Sequence, residues 1–500
     1  MKVISETQNK SIIGGPIYQL VDSNLEKEYF GYPITEEQEK QFQKATYINQ
    51  EVLLPLNLNV ATNIIRVINV IMKTCLIKLK DGLKMSLMKR FVDQTGIRDY
   101  LKELALPQPG SNRGYAPEQI IESFWLSIWT GASRYIHCDW LRYDKVLQSI
   151  FGWKVMPSQS TYSRFFGKFS QKRNTEVFPQ LQHWFYDQIG VDNITVDFDS
   201  TVITRYGNQE GSAKGYNPNK RGRNSHHPLM AFVGQTRMVA NAWLRPGNTA
   251  DSSSCKAFMQ ETFDDVLQNK WIGLVRADSG FYTEELMSYL EEKQLNYIMA
   301  VKMYPNVKSA VWGLDEWVGL SSGIELNEMI FSHENGKPRR YIIVKKQIEI
   351  RPKAGGKELF EDLPGYRYSC YVTNMDLPLD QIWNIYNTRA DCENRIKELK
   401  GDFGLENFCL QDFWATEASF RFIMVAYNLM SLFRHFALNH HRRATLKTLK
   451  LYCFALGAWA VNHANQKVLK IALPAKRRPW MNGIFEQIKN TSPPFQYPNE

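Results

Sequence analysis

Hydrophobic spacing divides the chain into stretches of different period. Over 118–134 and 140–151 apolar residues recur three and four apart, the repeat of a helix that buries one face. Gly152 stands where the second helix would stop. Pro157-Ser158 then precedes Gln159-Ser-Thr-Tyr162-Ser-Arg164, so a further helix with a Ser N-cap is predicted. From 191 the period drops to two. Ile194, Val196 and Phe198 alternate with Thr195, Asp197 and Asp199, which predicts a strand whose apolar face lies in a core. Further strands are expected at 226–233, 238–244, 273–278 and 295–302. Thr283 can cap a helix through Leu286 and Leu290, so 273–302 reads as strand, helix, strand, with Asp278 at the end of the first strand. Residues 303–378 look β-rich, with strands at 340–350 and 366–373 and turns at 352–356 and 364–365. The stretch from Tyr386 to Lys400 holds good helix formers and no Gly or Pro. An apolar helix follows at 420–436.

The predicted class is α/β with helical flanks. Its parts are 1–82, to which no role attaches; a helical region, 83–190; a mixed region, 191–302; a β-rich segment, 303–378; a second helical part, 379–440; and a basic tail, 441–500. The helix, Gly-containing turn and helix around 140–168, bearing Tyr162, Arg164 and Lys168, suit a helix-turn-helix DNA reader as well as an all-helical packing domain.

Composition narrows the partner. Sixty-one Lys and Arg against 51 Asp and Glu leave a net charge of +10, which favours a polyanion, nucleic acid first. The seven Cys are dispersed without a CxxC pair, and no His spacing suggests a zinc site. The first fourteen residues lack an apolar signal-peptide core, and five polar residues break the apolar run 60–79, so no membrane span is expected. These features predict a soluble cytoplasmic protein with reduced thiols.

Candidate chemistry sits on carboxylates at three places along the chain. Asp197 and Asp199 share the polar face of one strand, and two adjacent carboxylates require a cation or donors nearby. Asp278 ends a strand, where α/β sheets place reactive groups. On the predicted helix, Tyr386, Arg389, Glu393 and Lys400 return to nearly one angle. That stripe offers a metal ligand beside phosphate-gripping groups, or a solvated face laced by the i,i+4 pairs Arg389–Glu393 and Glu393–Lys397.

The order Asp199, Asp278, Glu393 resembles the DDE transposases of bacterial insertion sequences. One branch carries Tyr, two residues, Arg, three residues, Glu, six residues, Lys, and here Tyr386, Arg389, Glu393 and Lys400 match it without departure. Asp199-Ser-Thr, Gln209-Glu-Gly211, His227-Pro-Leu229 and Arg276-Ala-Asp278-Ser-Gly-Phe281 are similar to insertion-sequence group 1380. The resemblance implies an RNase H-like catalytic core (191–302 and 379–440) interrupted by a β-rich insertion domain (303–378), with a helical DNA-binding domain before it and a basic helical region after it. It implies that Asp199, Asp278 and Glu393 hold two Mg²⁺ ions, replaceable by Mn²⁺, with Asp197 the second choice for the first Asp. Cleavage at transposon ends would free a 3′-OH that attacks target DNA. Tyr386, Arg389 and Lys400 would grip DNA phosphates or else brace the helix. Arg164 would contact DNA, and Trp312 or Trp317 would stack on a displaced base. The implied partners are double-stranded DNA, as terminal inverted repeats and target, and a second copy in a homodimer, in the bacterial cytoplasm at the nucleoid. The alternatives are an RNase H-like nuclease without strand transfer and a non-catalytic DNA-binding descendant.

Overall fold

The computed structural model describes residues 85–218, 220–249, 253–333, 336–348, 365–438, 444–454 and 474–497, with the strand positions 46–48, 51–53, 76–79, 458–463 and 466–472. Residues 85–454 with 484–500 form one compact unit, and 1–84 with 455–483 form another. The turn expected at 352–356 lies outside the described residues.

The larger unit begins with helices. They are α1 (Ser86–Thr95), α2 (Ile97–Glu103), α3 (Pro117–Thr130), α4 (Lys145–Phe151), α5 (Gln159–Phe166) and α6 (Gln171–Asp187). The stretch expected as one helix over 140–151 is a 3₁₀ turn at Asp139–Leu141 and becomes α-helical at Lys145, because Asp144 accepts the Val146 and Leu147 amides at 2.9 and 3.0 Å and so fixes the N-terminus there. Gly152, at φ +71°, ends it in the left-handed conformation that a Cβ disfavours.

A mixed sheet follows. Its strands are β1 (Ile194–Ser200), β2 (Leu229–Val233), β3 (Val239–Trp243), β4 (Ile272–Ala277), β5 (Tyr297–Ala300), β6 (Val318–Ser321), β7 (Ile324–Ser332), β8 (Pro338–Gln347) and β9 (Tyr366–Thr373). They lie in the order β3-β2-β1-β4-β5-β9-β8-β7-β6. β1, β2 and β3 are antiparallel, whereas β4 runs parallel to both β1 and β5. The link between β4 and β5 is a helix, α7 (Glu284–Glu292), whose first turn Thr283 caps through the Leu286 amide. This is the crossover that a parallel neighbour requires.

The β-rich segment 303–378 does not close a sheet of its own. β9 pairs with β5, and β8, β7 and β6 continue outward from it. One apolar cluster joins Leu274 and Ile298 to Leu326, Ile342, Val344 and Tyr371, with Ile382 laid over them.

The stretch expected as a single helix from Tyr386 to Lys400 is two: α8 (Leu379–Asn387) and α9 (Ala390–Gly401). Tertiary bonds break it. Arg276 Nη1 takes the Ile385 carbonyl at 2.5 Å and also donates to the Thr388 hydroxyl. The Arg389 and Cys392 amides then close i→i−3 bonds at 2.9 and 2.8 Å, the tightening seen at helix ends. A long helix, α10 (Phe413–Ala437), is buried along most of its length.

In the smaller unit, Ala458–His463 and Gln466–Ala472 form a hairpin that Leu76–Leu79 extends. The tail expected to be helical from 441 thus carries strands before its helix at Arg478–Asn490. The β-branched Val461, Val468 and Ile471 favour the extended chain there. Among the described residues, no helix is long and apolar enough to cross a membrane.

Candidate active site

Because β1 and β4 are parallel, their C-terminal ends share one edge of the sheet. Asp199 is the penultimate residue of β1, and Asp278 directly follows β4. Asp199 is buried, with Oδ1 accepting the Ser200 amide at 2.8 Å and Oδ2 facing Arg389 Nη2 at 3.0 Å. Asp278 Oδ1 accepts the Gly280 amide at 2.9 Å and so caps the short turn Ser279–Phe281. Burial pushes the Asp199 carboxyl up to about 6; Arg389 pulls the other way, and the charge of Asp278 adds to the rise. The pair therefore sits in a field that a cation would relieve.

Asp197 is engaged differently. It is opposite Arg276 in the β1–β4 register, and the guanidinium grips it twice, Nε to Oδ1 at 2.6 Å and Nη2 to Oδ2 at 2.9 Å. Both side chains are buried. The same Arg276 holds the C-terminus of α8, so one guanidinium ties β1, β4 and the α8–α9 junction together. Phe198, on the opposite face, packs against Phe258, Phe263 and Phe281 at 5.6–6.0 Å between ring centroids. The strand is thus central, with carboxylates on one face and an aromatic cluster on the other.

The four signature residues split into two kinds. Tyr386, Arg389 and Lys400 turn inward onto backbone carbonyls beside the carboxylates. Tyr386 Oη donates to Ala277 O at 3.3 Å, Arg389 Nη2 to Phe198 O at 2.8 Å, and Lys400 Nζ to Val202 O at 2.7 Å. Lys400 also pairs with Glu406 at 3.1 Å. Glu393 turns outward. Its side chain is 64% exposed and lies 3.8 Å from Lys397. Its neighbour Cys392 is buried against Asp199, where the thiol favours the charged carboxylate. Among the described residues no three His, Cys, Asp or Glu side chains are gathered to hold a metal ion. Asp199 and Asp278 supply a matched pair of oxygen donors, and Glu393 stands one helical turn past the break without joining them.

The remaining expected DNA contacts lie elsewhere. Arg164 is exposed on α5, but Tyr162 is fully buried and its hydroxyl bonds Ser123 at 2.9 Å. Trp312, at the end of the helix Pro305–Trp312, is 52% exposed. Trp317 is half-buried beneath Lys345 Nζ, 5.0 Å from the ring centre, with its edge on Tyr368. Sequence reasoning missed Arg276, although it stands two residues before Asp278 as Asp197 stands two before Asp199. That doubled spacing was the available signal, but strand register had to be known to use it.

The family model of the transposase DDE domain, group 1, matches residues 84–493. No curated protein matches the chain. A similar solved structure, the piggyBac transposase synaptic complex with hairpin DNA determined by cryo-electron microscopy, shares 12% identity, with 74% of this chain and 76% of that chain covered at a TM-score of 0.40. The family match spans nearly the whole larger unit, and on it the chain belongs to the DDE transposases of domain group 1.

Proposed function

We propose that this transposase cleaves DNA at the ends of an insertion sequence and joins the freed 3′-OH to target DNA. The observation that carries the reading is the placement of Asp199 and Asp278 at one edge of two parallel strands, with the signature helices packed over them. The order β3-β2-β1-β4-β5, with three antiparallel strands and then two parallel ones, supports an RNase H-like core.

Asp199, Asp278 and Glu393 would hold divalent ions, Mg²⁺ by the hardness of an all-oxygen donor set, two by the reaction. When bound, such ions stabilise charge on the phosphate and activate the attacking oxygen. The chain's own residues prepare that site. The Ser200 and Gly280 amides orient the two Asp carboxylates, and burial of Asp199 keeps bulk water off it. Two changes must precede catalysis: Arg389 releases Asp199 Oδ2, and the Glu393 side chain leaves Lys397. DNA binding as a homodimer would present two such sites to two ends.

The exposure of Glu393 favours one second reading, a DNA-binding descendant without catalysis. A duplex built from inverted repeats flanking the gene decides between them. Mg²⁺-dependent nicking followed by joining to a plasmid is expected. Asp278→Asn and Glu393→Gln should each abolish nicking while duplex binding persists. A wild-type protein that binds but never nicks would leave the descendant reading; nicking without joining would leave a nuclease.

A further inference from the structure

Twenty-eight residues separate β1 from β2 (201–228), and they leave the sheet at the Asp199 edge. They fold into a small sheet of Ile203–Thr204, Asn224–His226 and Ala213–Lys214, in that order. Its base is tightly held. Buried Arg205 donates Nε to His226 Nδ1 at 3.0 Å and Nη1 to Glu406 O at 2.6 Å, and His226 Nε2 donates to Glu210 O at 3.0 Å. Glu210 is itself committed, its Oε2 accepting the Phe413 amide at 2.9 Å. Gly211, at φ +74°, lies so close to Phe413 that a Cβ would come within 2.5 Å of the ring.

The tip is of another character. Lys214, Lys220, Arg221 and Arg223 are all exposed, and none makes an ion pair with a described residue. Tyr206 is 71% exposed and Tyr216 68%. Lys220 Nζ lies 4.8 Å from the Tyr206 ring centre and the Arg223 guanidinium 6.0 Å. Elsewhere near the carboxylates cations are neutralised: Arg276 by Asp197, Arg389 by Asp199, Lys397 by Glu393 and Lys400 by Glu406. Cations without an ion partner among the described residues thus cluster on a rigidly based projection that leaves the sheet beside Asp199, with tyrosine rings among them.

We propose that this projection is a binding site for the backbone of double-stranded DNA, which it holds against the Asp199 edge. The inference rests on the transposase reading and adds a surface that none of Tyr386, Arg389, Glu393 and Lys400 occupies. Phosphates would take the four cations, and Tyr206, already under two of them, would keep them oriented. A duplex is preferred to an anionic membrane because the described residues of the projection expose four cations and two tyrosines but no Leu, Ile, Val, Met or Phe to insert.

The test measures binding of a fluorescent mixed-sequence duplex of about 30 base pairs at salt from about 50 to 200 mM. For wild type, log affinity should fall linearly with log salt. Changing Lys214, Lys220, Arg221 and Arg223 to Ala should flatten that slope by about 3.6, since each phosphate contact contributes about 0.9. The charge-conserving double variant Arg221→Lys, Arg223→Lys should keep the slope, which separates charge from fold. A slope in the Ala variant within one unit of wild type would overturn the proposal. So would duplex binding that is unaffected while binding to phosphatidylserine vesicles is lost. Mg²⁺-dependent nicking by the wild type, assayed in parallel, keeps the two readings apart: a nicking enzyme with an unchanged slope refutes the projection alone, and a changed slope without any nicking refutes the transposition chemistry alone.

Discussion

At the residue scale, the two carboxylates of β1 differ in what surrounds them. Asp197 has its charge matched by a bidentate guanidinium, whereas Asp199 keeps one oxygen toward Arg389 and shares its field with Asp278. Alternation in the sequence placed both on one face but could not divide their roles, because Arg276 reaches Asp197 only through the β1–β4 register. The division has consequences. Asp199→Asn should lose Mg²⁺-dependent nicking entirely. Asp197→Asn should retain a rate reduced about 10–100-fold, as for groups that orient ligands without binding metal. Arg276→Met leaves a buried carboxylate without its cation, and breaking such a pair costs about 3–5 kcal/mol. The double variant Asp197→Asn, Arg276→Met should recover part of that loss in urea unfolding. Equal loss in the single and double variants would show that Arg276 acts through α8 rather than through Asp197.

At the element scale, the strands were legible and the helix break was not. Period-two alternation gave β1 to within a residue, and β3 falls inside its expected range, whereas β2 begins three residues later than expected and is buried on both faces. Thr388 and Arg389 carry no breaker, and the break arises from bonds that Arg276 makes from another strand. The small sheet between β1 and β2 shows in the sequence only as interspersed Gly and basic residues (Gly207, Gly211, Lys214, Gly215, Lys220, Arg221, Gly222, Arg223), because its hold is a buried Arg205–His226 contact. Burial, and secondarily the Arg205 charge, push His226 down to about 4. An unfolded His titrates near 6.5. Between these values the unfolded chain binds the proton and the folded chain does not, so stability from this group is complete above about 6.5 and falls as pH drops through the window. The loss by pH 5 is about 2 kcal/mol. Urea midpoints from pH 7 to pH 5 should therefore fall more steeply in wild type than in His226→Gln. Parallel curves would mean that His226 is protonated without leaving its place.

At the scale of the whole larger unit, α10 joins the helical region to the sheet. On one side the buried indoles of Trp125 and Trp129 donate to Phe422 O and Ala426 O of α10 at 3.0 and 3.1 Å. On the other side α10 closes the edge of the sheet. Strand β3 is an edge strand, and its outward backbone groups at Val239 would be buried without a partner. Asn428 of α10 supplies one as a further strand would: its Oδ1 accepts the Val239 amide and its Nδ2 donates to Val239 O, both at 2.8 Å. Nδ2 also reaches Gln182 of α6 at 3.2 Å, so a single amide links three layers. Asn428→Leu has similar volume and keeps the apolar packing, but it strands a buried N–H and a buried C=O. Each unpaired group costs about 1–3 kcal/mol, so a loss of about 2–6 kcal/mol is expected, with the urea midpoint lowered and the slope unchanged. Gln182→Leu, which removes only the weaker arm, should cost about 1 kcal/mol. Hydrogen exchange at the Val239 amide should accelerate in Asn428→Leu and not in Gln182→Leu. If both variants unfold alike and the amide stays protected, the edge is closed by packing of α10 rather than by the amide.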